Sequence, residues 1–225
     1  MIHWIGIALF AAAAASAVRW WITRYDSLGR ARSFPWFTIG FFVVLGIAAV
    51  TPWFLRIHLE HRLSDAASEV VGARVDVHCQ AFGGAFFDVG AELGYVAFGP
   101  DGVPERSTLI KRNQCRDLSA YLRSTKEAPS EAHIIAVHVL SHEAMHMSGL
   151  TDEGETECLA VQRDYEMTRL LGAPEASARY LAVSYWQSIY PRMSSEYRSE
   201  ECGAGGALDK GTPEAPWAIT GTSFQ

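Results

Sequence analysis

Two stretches of this chain carry no charged residue, and they limit what it can fold into. Residues 34–55 contain no Asp, Glu, Lys or Arg. That run is long enough for the roughly 20 apolar residues a helix needs to cross a bilayer. Residues 2–18 form a second, shorter run, rich in alanine and equally uncharged. Neither has the polar face that an amphipathic core helix would show. Trp20, Trp21, Trp36 and Trp53 stand at the ends of these runs, where amphipathic rings favour the membrane–water interface. The sequence therefore predicts two transmembrane helices within residues 1–55.

The loop between them, residues 19–33, holds Arg19, Arg24, Arg30 and Arg32 against a single acid, Asp26. Cytoplasmic loops carry an excess of Lys and Arg, so this loop is expected in the cytoplasm. Both spans then end on the far side, and the chain from residue 56 onward is expected outside the cytoplasm. The positive charges follow the first apolar run and do not precede it. That order predicts a retained span and not a cleaved signal peptide.

The rest of the chain agrees with an external location. Cys79, Cys115, Cys158 and Cys202 all lie beyond residue 56, and an even number of cysteines in an oxidising compartment suggests disulfides. Of the three possible pairings, Cys79–Cys115 with Cys158–Cys202 is preferred. No Cys-x-x-Cys pair is present, which argues against a structural zinc site built on these thiols. Residues 56–225 carry 15 Lys/Arg and 24 Asp/Glu, a formal charge of −9. Such an acidic surface opposes nucleic acid and anionic lipid. Attachment to the lipid bilayer is thus expected through the two helices.

Several local signals organise this external part. Residues 56–72 read as a helix ending at Gly72. Arg74–Cys79 alternates with period two, as a half-buried strand does. Ala91–Phe98 is a second strand, followed by a turn at Gly99-Pro100-Asp101-Gly102, and Thr108–Lys111 suggests a third. Arg112–Leu122 reads as a short helix. A helix follows from Glu131 to Ser148, with Ser130 as N-cap and Gly149 as its stop. Another starts near Thr151–Asp152 and ends at Gly172, and one more runs from Pro174 to Tyr190. Residues 203–225 are rich in Gly and Pro and are expected to be an extended tail.

The chemistry is concentrated in residues 142–146, His-Glu-Ala-Met-His. Histidines four apart on a helix share one face, one turn apart, so both can reach one zinc ion. Glu143 then stands where a carboxylate can take a proton from a zinc-bound water. The surrounding helix is apolar, and buried polar groups need partners; a metal supplies one. His138, one turn before His142, reads as a buried and satisfied histidine in preference to a ligand.

A third ligand should come from the acidic start of the next helix. A hairpin about residue 150 sets Glu157 level with His142 and Glu153 level with His146. Glu157 is the first choice, with the small Ala160 three residues on permitting close approach. Glu153 is then a carboxylate that orients a histidine ring. Glu153 and Asp152 remain alternatives as the ligand itself.

His142-Glu-x-x-His146 followed by a helical Glu157-x-x-Ala160 resembles the gluzincin metallopeptidases. In that family the third zinc ligand is a glutamate on the helix after the motif helix. The resemblance covers about 25 residues. It implies a zincin-like fold, which with the two N-terminal transmembrane helices read above gives an α+β architecture whose residues 56–202 form a mainly helical zincin-like domain with a small β-sheet. It also implies hydrolysis of a peptide or protein substrate with Zn2+ held by His142, His146 and Glu157 and with Glu143 as general base. The run His142-x3-His146-x2-Gly149-x2-Asp152 also fits an elongated metzincin motif, which ranks lower because the acidic helix continues to Glu157. The transition state needs a further donor, for which Tyr185, Tyr190, Arg192 and Tyr197 are candidates. The contrasting expectation is a membrane-tethered zinc-binding module without protease activity, in which Glu143 would have no role.

Overall fold

The computed structural model describes residues 2–80, 93–100 and 102–220. It divides into two units, Met1–His58 and Leu59–Gln225. The first unit holds helix α1 (Ile2–Ile22) and most of helix α2 (Trp36–Val71). Both are long and apolar enough to cross a membrane, and their large side chains, among them Trp4, Trp21, Trp36 and Phe41, are exposed. Exposed apolar surface of this extent requires an apolar surrounding. The two helices approach closely at glycines. A Cβ on Gly46 would lie 3.0 Å from the Phe10 ring, and one on Gly6 would overlap Val50. Between the helices, Asp26 accepts the backbone N–H groups of Leu28 and Arg30, each at 2.8 Å, closing a tight turn.

The span expected to end at residue 55 and the helix expected over residues 56–72 are one helix, since α2 runs unbroken for 36 residues, about 54 Å at 1.5 Å per residue. Pro52 lies inside it and removes one backbone donor.

The second unit is built on a three-stranded sheet in the order β1–β3–β2, with β1 at Asp76–Cys79, β2 at Gly94–Phe98 and β3 at Pro104–Ile110. β1 pairs parallel to β3, with Val77 opposite Thr108, and β2 pairs antiparallel, with Tyr95 opposite Leu109. The outer edge of β1 is covered by α2. Glu60, Ser64 and Ser68, four residues apart on one helix face, accept from the backbone N–H groups of Cys79, Val77 and Val75 at 2.8, 2.9 and 3.0 Å. Helix spacing thereby meets strand spacing, and the donors of that edge are satisfied. Among the described residues, β2 forms the other edge of the sheet.

Helix α3 (Arg112–Arg123) leads to α4 (Glu131–Met147) and α5 (Glu153–Leu170), followed by α6 (Glu175–Ser184), a π-helical turn (Tyr185–Ile189), a 3-10 turn (Tyr190–Arg192) and α7 (Pro216–Thr220). The Ser130 side chain caps α4 by accepting from His133 N–H at 3.3 Å, and Gly149 (φ +115°) turns the chain after it. Asp152 caps α5 by accepting from Glu155 N–H at 2.8 Å. From Ala136 to Met147 every residue of α4 is buried, so this helix is the centre of the core.

Two disulfides staple the unit, Cys79–Cys115 and Cys158–Cys202, the pairing the sequence favoured. The segment after Cys202 is packed in place. Trp217 is buried edge-on against Trp186, centroids 4.9 Å apart. The Gln162 amide holds Leu208 O at 3.0 Å and Lys210 N–H at 2.9 Å. Trp217 and the Gln162 amide thus hold parts of residues 208–217 against the unit.

Candidate metal centre

α4 and α5 form the hairpin that the short turn at Gly149 implies. Contacts run from His146–Glu153 through His142–Glu157 to His138–Asp164, so the helices are antiparallel with the register centred near residue 150. Ala160, three residues after Glu157 on α5, is completely buried, and a small residue lets helix axes come close.

Three ligand-type atoms converge at the open end of this interface. His146 Nε2 lies 3.0 Å from His142 Nε2, and Glu153 Oε2 lies 3.2 Å from His142 Nε2 and 3.4 Å from His146 Nε2. A tetrahedral ion with ligands at 2.0–2.1 Å has ligand–ligand edges of about 3.3–3.4 Å. The observed triangle is of that size.

The second nitrogen of each ring strengthens the case. His146 Nδ1 lies 3.0 Å from the Leu150 carbonyl, and His142 Nδ1 lies 2.9 Å from Glu157 Oε2. A carbonyl or ionised carboxylate can only accept, so each Nδ1 carries the hydrogen. Each Nε2 is then left with a lone pair. With both rings neutral, two imidazole lone pairs and a carboxylate oxygen face one another, an arrangement that could hold a cation at the centre. Orientation of metal-binding histidines through their other nitrogen is the general pattern. Without a metal, protons take that role. Burial pulls His142 down, but hydrogen bonds to Glu153 and Glu157 outweigh it and raise the ring to about 9. Hydrogen bonds from His142 and His146 hold Glu153 down to about 2. The two shifts are the two sides of one interaction, the carboxylates favouring charged imidazole and the imidazoles favouring charged carboxylate.

The expected ligands are thus brought together in part. His142, His146 and Glu153 form one cluster; His138, His142 and Glu157 form a second on the inner side of His142. Glu157 is level with His142, as the hairpin register requires, but it meets Nδ1 and not the nitrogen beside His146. Asp152 is engaged as the N-cap of α5. A carboxylate occupied with a helix terminus is held away from the cluster.

Glu143 is buried beside the cluster. Thr108 Oγ1, from β3, lies 3.0 Å from both Glu143 Oε2 and Tyr95 O. Gly94 on β2 covers the same carboxylate so closely that a Cβ there would stand 2.7 Å from Glu143 Oε1. Burial pushes the Glu143 carboxyl above its ordinary value, against the pull of His142 and His146. Thr108 and Gly94 have no signal in the sequence, because nothing local ties a strand glycine to a helix glutamate 49 positions on.

The site opens into a cleft of about 800 Å³. One wall is β2 with Leu93, Tyr95 and Phe98; the other is the segment from Ile189 to Tyr197. Of the four expected transition-state donors, Tyr185 donates to Glu157 Oε1 at 2.5 Å. Tyr190 Oη bonds Ser199, accepting its N–H at 3.0 Å. Arg192 bonds Ser188 O and Glu131. Tyr197 lines the cleft with its ring 5.8 Å from that of His142.

Behind the cluster the polar groups continue inward. His138 is buried with Nε2 at 3.0 Å from Glu157 Oε2 and Nδ1 at 2.8 Å from Asp164 Oδ2. It is the satisfied buried histidine its position suggested. Its partner Asp164 carries no sequence signal beyond lying seven residues, two helical turns, after Glu157. No family model, curated protein or solved structure matches the chain, so the converging lone pairs and the buried carboxylate beside them carry the functional argument.

Proposed function

We propose that the unit Leu59–Gln225 is a zinc metallopeptidase tethered to the membrane by α1 and α2. The observation that carries this reading is the convergence of His142 Nε2, His146 Nε2 and Glu153 Oε2 within 3.0–3.4 Å, beside the buried carboxylate of Glu143. In this assignment the metal is held by His142, His146 and Glu153, and Glu157 orients His142. Two imidazoles and a carboxylate with an open fourth position suit zinc and match catalytic sites in preference to closed structural ones. Zinc held there would supply Lewis-acid chemistry, acidifying a water and polarising a carbonyl.

The chain's own residues supply the rest. Glu143 takes the proton from the attacking water and returns it to the leaving amine. Its raised proton affinity suits a base that must hold that proton between the two steps. Thr108 and Gly94 fix the carboxylate in place. Among the described residues β2 is an edge strand lining the cleft, a surface to which an extended polypeptide could add. Tyr197 is the donor proposed for the developing oxyanion. Two disulfides and the arginine-rich loop 19–33 support placing this unit outside the cytoplasm.

The test is metal analysis of the full chain in detergent, followed by digestion of a broad peptide library by wild type and Glu143→Gln. The expectation is zinc bound to both and a cleavage rate roughly 10²–10⁴-fold lower in the variant. Equal cleavage by both removes Glu143 as the base. Zinc retained with no cleavage by either marks the chain as a tethered zinc-binding module.

A further inference from the structure

We propose that His138 and Tyr185 are positioning residues of the metal centre, acting through Glu157 to hold His142 on the metal. The inference rests on the ligand assignment above and extends it inward by one layer of side chains.

Glu157 is 1% exposed, yet its carboxylate is surrounded by donors. Oε2 takes hydrogen bonds from His142 Nδ1 at 2.9 Å and His138 Nε2 at 3.0 Å, and Oε1 takes one from Tyr185 Oη at 2.5 Å. Three donors on one buried carboxylate leave it no freedom to rotate. Each of them comes from a different turn of the fold: His142 and His138 from successive turns of α4, Tyr185 from the start of the π-helical turn. Such turns insert an extra residue into a helix and are common where a side chain must be aimed.

His138 is itself locked. Asp164 Oδ2 holds its Nδ1 at 2.8 Å, and the Tyr185 ring stacks on it with centroids 3.5 Å apart and planes 14° apart. Carboxylate oxygens stand at both nitrogens, so His138 presents a hydrogen to each and has no lone pair to offer a metal. The row Asp164–His138–Glu157–His142 is therefore a continuous chain of charge-assisted hydrogen bonds ending at a metal ligand. A carboxylate fixed on the far nitrogen of a ligand histidine sets the ring's tautomer and makes its metal-bound nitrogen more basic. His138 and Tyr185 would make that carboxylate immobile.

A purely structural role would show only in stability. A positioning role would show in metal affinity and in the metal's spectrum. The experiment uses the full chain in detergent, with zinc titrated against a competing chelator and cobalt(II) as the spectroscopic probe. The variants are Tyr185→Phe, which keeps the stacked ring and loses only the hydroxyl, and His138→Gln, which keeps a donor and loses the charge.

Each variant is expected to weaken zinc roughly tenfold, within the 10–100-fold range of such partners, and to change the cobalt(II) visible bands. One metal per chain is expected throughout. Folded variants with wild-type affinity and wild-type cobalt spectra overturn the proposal. So does a stoichiometry of two zinc ions per chain with one lost in His138→Gln, which would make the inner cluster a second metal site. Wild type that binds no zinc overturns both this inference and the reading beneath it. Variant-dependent affinity without peptide cleavage supports the inference and overturns only the peptidase assignment.

Discussion

Replacing Glu153 should cost more zinc affinity than replacing Glu157, and the size of the difference follows from where each carboxylate lies. Glu153 Oε2 faces both Nε2 atoms, whereas Glu157 Oε2 lies on Nδ1 of His142. Zinc sites with four protein ligands bind with apparent free energies of about 10–16 kcal/mol. Shared equally, that is about 2.5–4 kcal/mol for each ligand, or roughly 60- to 700-fold in affinity. Loss of an orienting partner costs roughly 10–100-fold. The substitutions must match the burial. The Glu153 side chain is 34% exposed, so Glu153→Ala leaves a water-filled position and no void. Glu157 is 1% exposed, and Ala there would strand His138 and Tyr185 without an acceptor. Glu157→Gln keeps the shape and one acceptor oxygen. Competitive titration with a chromophoric chelator on the full chain, at fixed pH and salt, measures both constants, with circular dichroism as the check on folding. A larger loss in folded Glu157→Gln than in Glu153→Ala would refute the ligand assignment and restore Glu157 to the metal.

Gly94→Ala places a methyl group 2.7 Å from Glu143 Oε1 and must push the carboxylate aside. Cleavage should fall by up to about 10²-fold, the scale of a 1 Å misplacement, while zinc affinity measured by titration is kept. Removing either disulfide as a Cys→Ser pair frees a loop of 36 or 44 residues. The expected loss is about 2–4 kcal/mol, read as a fall in Tm of roughly 5–15 °C by calorimetry. A pH effect should follow from His138, where burial pulls the ring down but Asp164 and Glu157 outweigh it and raise it to about 10. A raised histidine contributes stability that is fully present below its ordinary value of 6.5 and is lost as the pH rises through 10. In zinc-free protein, the urea midpoint of wild type should therefore fall more steeply over that window than that of His138→Gln. In unfolding free energy, the midpoint multiplied by the urea m-value, the difference in slope is about 1.4 kcal/mol per pH unit.

Much of the architecture is legible from local patterns because local forces set it. The uncharged runs become α1 and α2, and Ser130, Gly149, Asp152 and Gly172 mark helix ends where capping chemistry predicts them. What escapes is set by distant contacts. Pro52 is a breaker by its chemistry, yet α2 continues through it. The helix predicted from Pro174 to Tyr190 departs from α-geometry at Tyr185. That residue is aimed at Glu157, 28 positions away in sequence. Of the strand expected over Ala91–Phe98, Ala91 and Glu92 lie outside the described residues, and Gly94 allows β2 to lie against Glu143.

The metal site divides along the same line. Residue spacing specifies which side chains share a level: a hairpin about residue 150 pairs 142 with 157 and 146 with 153, and the structure has both pairs in contact. Spacing does not specify which of its two nitrogens an imidazole turns toward a neighbour. The rings of His142 and His146 turn Nε2 toward the cleft because stronger demands act on Nδ1. In α4, buried on all sides, an N–H facing inward needs an acceptor, and Glu157 and the Leu150 carbonyl are the acceptors within reach. The inner carboxylate is therefore committed to satisfying a buried donor, and the outer, half-exposed one is left to meet the two remaining lone pairs. The rule that buried polar groups find partners thus favours Glu153 over Glu157 for the proposed metal, and it does so only once the depth of each is known.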